Sequence, residues 1–181
     1  INFEIKPTGK ISKLFLGQQL TSFSQACQFI KLLPYARNKN KADLSTIFTE
    51  NCGTCSTKHA LLKKLAEENN FTGLKLITGI FKMKASNTAK IAAILKQYKI
   101  DYLPEAHNYL KYKDQNLDFT SKNSKPADFE NDLIKEIEIE TDQITDFKIN
   151  FHKQFLINWL ENEADLHYTL DELWTIREEC I

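Results

Sequence analysis

Cys55, His107 and Asp118 have the residue types and chain order of a thiol-based acyl-transfer site. A thiol attacks an acyl carbon as its thiolate, so it needs a neighbouring base to take its proton. The base in turn needs a third group to fix its orientation and tautomer. Read along the chain, the three residues are nucleophile, base and orienter. Cys55 follows the turn Asn51-Cys52-Gly53-Thr54 and opens an amphipathic helix. There, unsatisfied peptide N–H groups and the positive end of the helix dipole favour a thiolate over a thiol.

The elements that must position these groups follow from the hydrophobic pattern. After Cys55, Leu61, Leu62, Leu65 and Ala66 mark one helix face and Lys63, Lys64, Glu67 and Glu68 the other, with an end near Asn69-Asn70. This helix is expected to run through the middle of the domain. His107–Tyr112 alternates like a half-buried strand, Lys113–Asn116 reads as a turn, and Leu117–Thr120 returns as the second arm of a hairpin. His107 and Asp118 are eleven residues apart with the turn near the middle, which predicts a side-by-side contact on one face.

The remaining segments complete an α+β pattern. Residues 1–20 read as a short strand or irregular arm. A helix starts at Thr21 or Ser22 and stops at Pro34, with Cys27 on its buried stripe. Leu74–Met83 is a strand whose Gly79 marks a bulge or a close backbone approach. A helix through Ala89, Ala92, Ile94, Leu95 and Tyr98 is expected to be capped by Ser86 or Asn87. Residues 121–130 form a polar connector, Ile134–Glu140 a strand with solvent-facing carboxylates, and Phe147–Leu160 a long amphipathic helix. Thr169-Leu170-Asp171-Glu172 is a capping box for a last helix. The whole reads as one domain, with a core over residues 21–120 and a mainly helical extension over 121–181.

Other residues admit chemistry of their own. Cys52-Gly53-Thr54-Cys55 matches C-x-x-C, which invites a redox or zinc reading, but the segment before it is a weak strand and the pattern after it is a hairpin rather than a βαβ unit. Cys52, Cys55 and His59 make three zinc ligands where four are required, with no second pair in the sequence. His59, His152 and His167 read as ordinary helix histidines, and Trp159 and Trp174 as core or docking anchors. Arg37–Lys41 is a basic loop, too small a footprint for nucleic acid, which could flank a substrate groove.

Composition narrows the classes. The 181 residues are 42% apolar and 27% charged, with 24 basic and 24 acidic side chains, so no overall field draws the chain to nucleic acid or an anionic membrane. No apolar run approaches the roughly 20 residues of a transmembrane helix. Ile1–Lys6 lacks the regions of a signal peptide, although a start at Ile leaves a removed leader open. Four irregularly spaced cysteines point to a reducing, cytoplasmic setting.

Gly53-Thr54-Cys55 at a helix start, His107-Asn108-Tyr109 on a strand and Asp118-Phe119-Thr120 closing the next together resemble the transglutaminase-like branch of the papain-like superfamily, over about residues 50–120. The chain departs from the common pattern at Ser56, Tyr109 and Lys111. The resemblance implies an α+β fold with the nucleophile helix packed on an antiparallel sheet. It also implies hydrolysis or crosslinking of a peptide-like or amide substrate through a thioester, with neither metal nor organic cofactor. Cys55 would be nucleophile, His107 base and then acid, and Asp118 orienter. A groove that binds without turnover is the other class. The expected oxyanion donors are the Cys55 N–H and one of Gln18, Gln19 or a hairpin amide.

Overall fold

The computed structural model describes residues 1–181 and is α+β. A four-stranded antiparallel sheet has the order β3-β2-β1-β4. Its strands are β1 (Leu74–Met83), β2 (Leu103–Tyr112), β3 (Gln115–Leu117) and β4 (Leu133–Ile139). The helices are α1 (Lys10–Gly17), α2 (Phe23–Leu32), α3 (Thr46–Glu50), α4 (Cys55–Glu68), α5 (Ala92–Tyr98), α6 (Asp146–Asn162) and α7 (Leu170–Cys180). No helix is long and apolar enough to cross a membrane.

Strand periodicity splits the interior in two. Leu74, Leu76, Leu110 and Ile139 join Leu61, Leu62 and Leu65 of α4 in one core. Ile77, Phe81, Met83, Leu103 and Tyr109 join Leu156 and Trp159 of α6 and Leu173 and Ile176 of α7 in the second. Alternate residues of β1 and β2 thus feed opposite sides of the sheet. α4 is buried all round over its first two turns, from Cys55 to Leu62.

The N-terminal arm corrects its expectation. An extended piece is present, with Ile5 N–H donating to Thr21 O at 2.8 Å and Phe23 N–H to Phe3 O at 3.0 Å, but Lys10–Gly17 is a helix. Its first N–H groups have no local cap. The Glu68 carboxylate at the end of α4 accepts from Ile11 N and Ser12 N at 3.0 and 2.6 Å. A Cβ at Gly9 would lie 2.1 Å from Glu68 Cδ, so glycine is what admits this distant cap. Asn87 likewise caps no helix. It accepts from Lys84 N and donates to Lys82 O, while a 3₁₀ turn precedes α5.

At Gly79 the sheet needs a close approach. A Cβ there would lie 2.7 Å from Leu133 and 2.9 Å from Tyr109, and the ladder irregularity with β4 falls one step on, between Ile80 and Phe81. Glu136 of β4 is not simply solvated, since it accepts from Tyr109 and Lys111. The expected hairpin is shorter than its arms. β3 pairs with β2 only from Leu110↔Leu117 to Tyr112↔Gln115. Leu103–Tyr109 therefore pair with no strand on the side away from β1, and the Asn108 N–H bonds Cys55 at the start of α4.

Candidate active site

The turn before Cys55 is clamped on both sides. Gly53 N–H donates to Pro34 O and Ala36 N–H to Gly53 O, pairing residues 34–36 alongside the turn. Thr54 is the N-cap of α4 and shares a reciprocal capping box with Thr57. Thr57 Oγ1 then donates to Asn38 Oδ1 at 2.9 Å, and Asn38 Nδ2 donates to Cys52 O at 3.0 Å. The nucleophile candidate is thus presented by a fixed helix start, with only 7% of its surface exposed.

His107 and Asp118 meet, though not as cross-strand partners. Continuing the β2–β3 register would set Thr120 opposite His107, but the chain leaves the ladder after Leu117. Asp118 then reaches back, and His107 Nε2 lies 3.3 Å from its Oδ2. That contact leaves the other ring nitrogen for Cys55. The carboxylate is held by Thr120 N–H on Oδ1 at 2.8 Å.

Two α4 side chains fix the Asp118 loop, and sequence reading assigned neither a part in the site. His59 is wholly buried. Its Nδ1–H donates to Cys55 O at 2.8 Å and its Nε2 accepts from Phe119 N–H at 2.8 Å, which together define one neutral tautomer. Burial brings its pKa down to about 4 despite the attraction of Asp118. Lys58, equally buried, donates from Nζ to Leu33 O at 2.6 Å and Thr120 O at 2.7 Å. Burial lowers that ammonium to about 8, against the pull of Cys52, Asp118 and Cys55. With both ring nitrogens of His59 occupied, the Cys52–Cys55–His59 set has no free imidazole lone pair to offer a metal.

The third addition comes from α6. Lys148 Nζ lies 3.8 Å from Cys55 Sγ and donates to Ser56 Oγ at 2.9 Å. Ser56 donates to Asn108 Oδ1 at 2.8 Å, and Asn108 Nδ2 donates to Thr78 Oγ1 and Ile77 O. This buried polar chain joins α6, α4, β2 and β1. Only spatial proximity marks Lys148, so sequence spacing held no signal for it.

These contacts set the charges. Burial alone would push the Cys55 thiol up. The Lys148 ammonium, the hydrogen bond and charge of His107, and the Asn108 backbone N–H outweigh it, bringing the pKa down to about 6. For His107 burial works downward, but Asp118 and Cys55 raise it to about 9. Hydrogen bonding and charge from His107 hold Asp118 well below the usual carboxylate range against its burial. These shifts favour, at neutral pH, a thiolate beside an imidazolium, backed by a carboxylate.

Cys55 stands between two cavities. One, of about 520 Å³, is bordered by Arg37, Lys39, Lys41, Lys148 and Trp174. The other, of about 390 Å³, is bordered by Phe81, Met83, His107, Asp118 and Phe129. Tyr35 and Glu105 border both. Gln18 and Gln19, named as oxyanion donors, border neither and are exposed at the end of α1. His152 is buried on α6 with Nε2 bonded to Pro104 O at 2.8 Å, whereas His167 is exposed. Comparison of the chain with family models, curated proteins and solved structures gives no match.

Proposed function

We propose that the chain is a cysteine-dependent acyl-transfer enzyme of transglutaminase-like type, acting on a peptide-like or amide substrate in a reducing, cytoplasmic compartment. The observation that carries this reading is the convergence of the three side chains: His107 Nε2 lies 3.3 Å from Asp118 Oδ2 and the ring hydrogen-bonds Cys55, with shifts that favour a thiolate–imidazolium pair. The thiolate attacks the acyl carbon, forming a C–S bond. As the C–N bond breaks, the His107 imidazolium gives its proton to the leaving amine. Neutral His107 then takes a proton from water or an acceptor amine as that nucleophile displaces Cys55 from the thioester. The Cys55 N–H, at the start of α4, is the backbone donor offered to the oxyanion, while the Asn108 N–H bonds the sulfur.

The test is the pH dependence of iodoacetamide alkylation, resolved by mass spectrometry, with Cys27, Cys52 and Cys180 as internal controls. Rapid Cys55-selective labelling below pH 7 that is lost in His107→Ala is the expected result. It should be accompanied by acetylation of Cys55 from p-nitrophenyl acetate. A Cys55 that reacts no faster than the other thiols and ignores His107 overturns the reading and leaves the groove as a binding surface.

A further inference from the structure

The two cavities beside Cys55 differ in chemistry in a way that an acyl-transfer centre alone does not require. The larger is bordered by five cationic side chains, Arg37, Lys39, Lys41, Lys148 and Arg177, against two carboxylates, Glu105 and Glu178. In a chain with 24 basic and 24 acidic residues this is a marked local excess. Both guanidinium groups are satisfied. Arg177 binds Glu105 through two bonds of 2.8 and 2.6 Å and also meets Glu178, which Arg37 pairs as well. The three lysines have no carboxylate within ion-pair distance. Lys148 is turned to Cys55 and Ser56, and the ammonium groups of Lys39 and Lys41 contact no acceptor.

Like charges confined in a cleft repel one another and focus a positive potential into it. Lys41 records this. Its ammonium is shifted downward, first by burial and next by Lys148, while Asp146 offsets only part of the effect. On the opposite side of Cys55 the cavity has an apolar wall of Phe81, Met83, Ala106 and Phe129 and a polar one that includes Asp118 and Asp128, and Lys90 is its one lysine. A substrate crossing the thiol therefore meets a cationic chamber on one side and, on the other, one with an apolar wall and no cationic excess. An extended peptide advances about 3.3 Å per residue and can fill both chambers with neighbouring side chains.

We infer that the acyl donor is an acidic peptide segment, its carboxylate side chains seated among Lys39, Lys41 and Lys148 and an apolar side chain against Phe81, Met83 and Phe129. This rests on the acyl-transfer reading of Cys55. Carboxylate is the anion the chamber is already built around, since Glu105 and Glu178 are held there by guanidinium groups. Free ammonium groups at the rim extend the same recognition outward to an incoming chain.

The test uses iodoacetyl peptides of one length carrying Glu-Glu, Gln-Gln or Lys-Lys, reacted with the full chain. Each rate at Cys55 is divided by that of the same reagent with N-acetylcysteine, which removes intrinsic differences between reagents. The Glu-Glu peptide should label Cys55 about tenfold faster than the Gln-Gln peptide at low ionic strength. The advantage should shrink as salt shortens the screening length. It should be lost in the double variant Lys39→Gln, Lys41→Gln, with each variant's peptide rates divided by its own rate with plain iodoacetamide. Equal normalised rates on an iodoacetamide-reactive Cys55 overturn the acidic preference and leave acyl transfer standing, as does an advantage that survives the double variant. A Cys55 inert to iodoacetamide overturns both.

Discussion

Replacing Lys148 by methionine removes an ammonium 3.8 Å from Cys55 Sγ while keeping most of the side-chain stem. Two unit charges at that distance attract by about 4 kcal/mol at an effective dielectric of about 20, and by about 1 kcal/mol in bulk water. Cys55 is 7% exposed yet borders open cavities, which places the loss between those limits. At about 1.4 kcal/mol per pKa unit, this amounts to an upward shift of about 1 to 3 units. The thiol should move from about 6 into the range of an ordinary cysteine. The assay is the pH–rate profile of Cys55 alkylation, with Lys148→Arg as the charge-retaining control. The methionine variant should lose selective labelling below pH 7 and the arginine variant should keep it. An unchanged midpoint in Lys148→Met, with helix content and thermal midpoint preserved, would falsify the assignment of Lys148 as the thiolate's partner.

Three other outcomes follow. Acylation by an amide needs Cys55 ionised, above about 6, and His107 protonated, below about 9, to give a proton to the leaving amine, so the acylation rate with a peptide anilide should be bell-shaped between those limbs. Alkylation needs only the thiolate and should rise through the lower limb without falling at the upper; coincident profiles for the two reactions would count against His107 as proton donor. His59→Phe strips partners from Phe119 N–H and Cys55 O, so urea unfolding should show a loss of ~1–3 kcal/mol, with acyl transfer slowed as the Asp118 loop is freed. Glu68→Ala removes the cap of α1 at a similar cost of ~1–3 kcal/mol but should leave the Cys55 pH–rate profile in place, and a shifted profile would contradict the separation of these two regions.

That Cys55, His107 and Asp118 come together was legible because each has a local marker: Cys55 at a capped helix start, His107 on a strand, Asp118 just past the returning arm. The last helix was legible for the same reason, its Thr169–Glu172 capping box being a sequence-local device that the structure contains. What escaped was whatever depends on distant partners. α1 is capped by Glu68, more than fifty residues away, so its sequence alone looks like an irregular arm. His59 read as an ordinary helix histidine and Lys58 carried no reading, yet α4 is buried on every side over its first turns, and both side chains bond backbone groups inside, Phe119 N and Thr120 O of the Asp118 loop among them. The hairpin's turn is Lys113-Asp114 rather than Lys113–Asn116, with Lys113 at φ 50°, so the returning strand starts at Gln115 and ends at Leu117. His107 and Asp118 still met, through the chain's departure from the ladder.

The origin of Lys148 has a consequence for assembly. The lysine belongs to a helix whose Leu156 and Trp159 pack in the core on the opposite side of the sheet from Leu61 and Leu65 of the nucleophile helix. A chain whose first 140 residues have folded but whose last two helices have not yet docked would hold the same cysteine, histidine and aspartate without the nearest cation. Its thiol would be markedly less acidic and correspondingly slow toward electrophiles and oxidants. On the acyl-transfer reading, the sulfur's reactivity is thereby tied to the docking of α6, and the thiolate is expected at full strength only when both halves of the interior have closed around it.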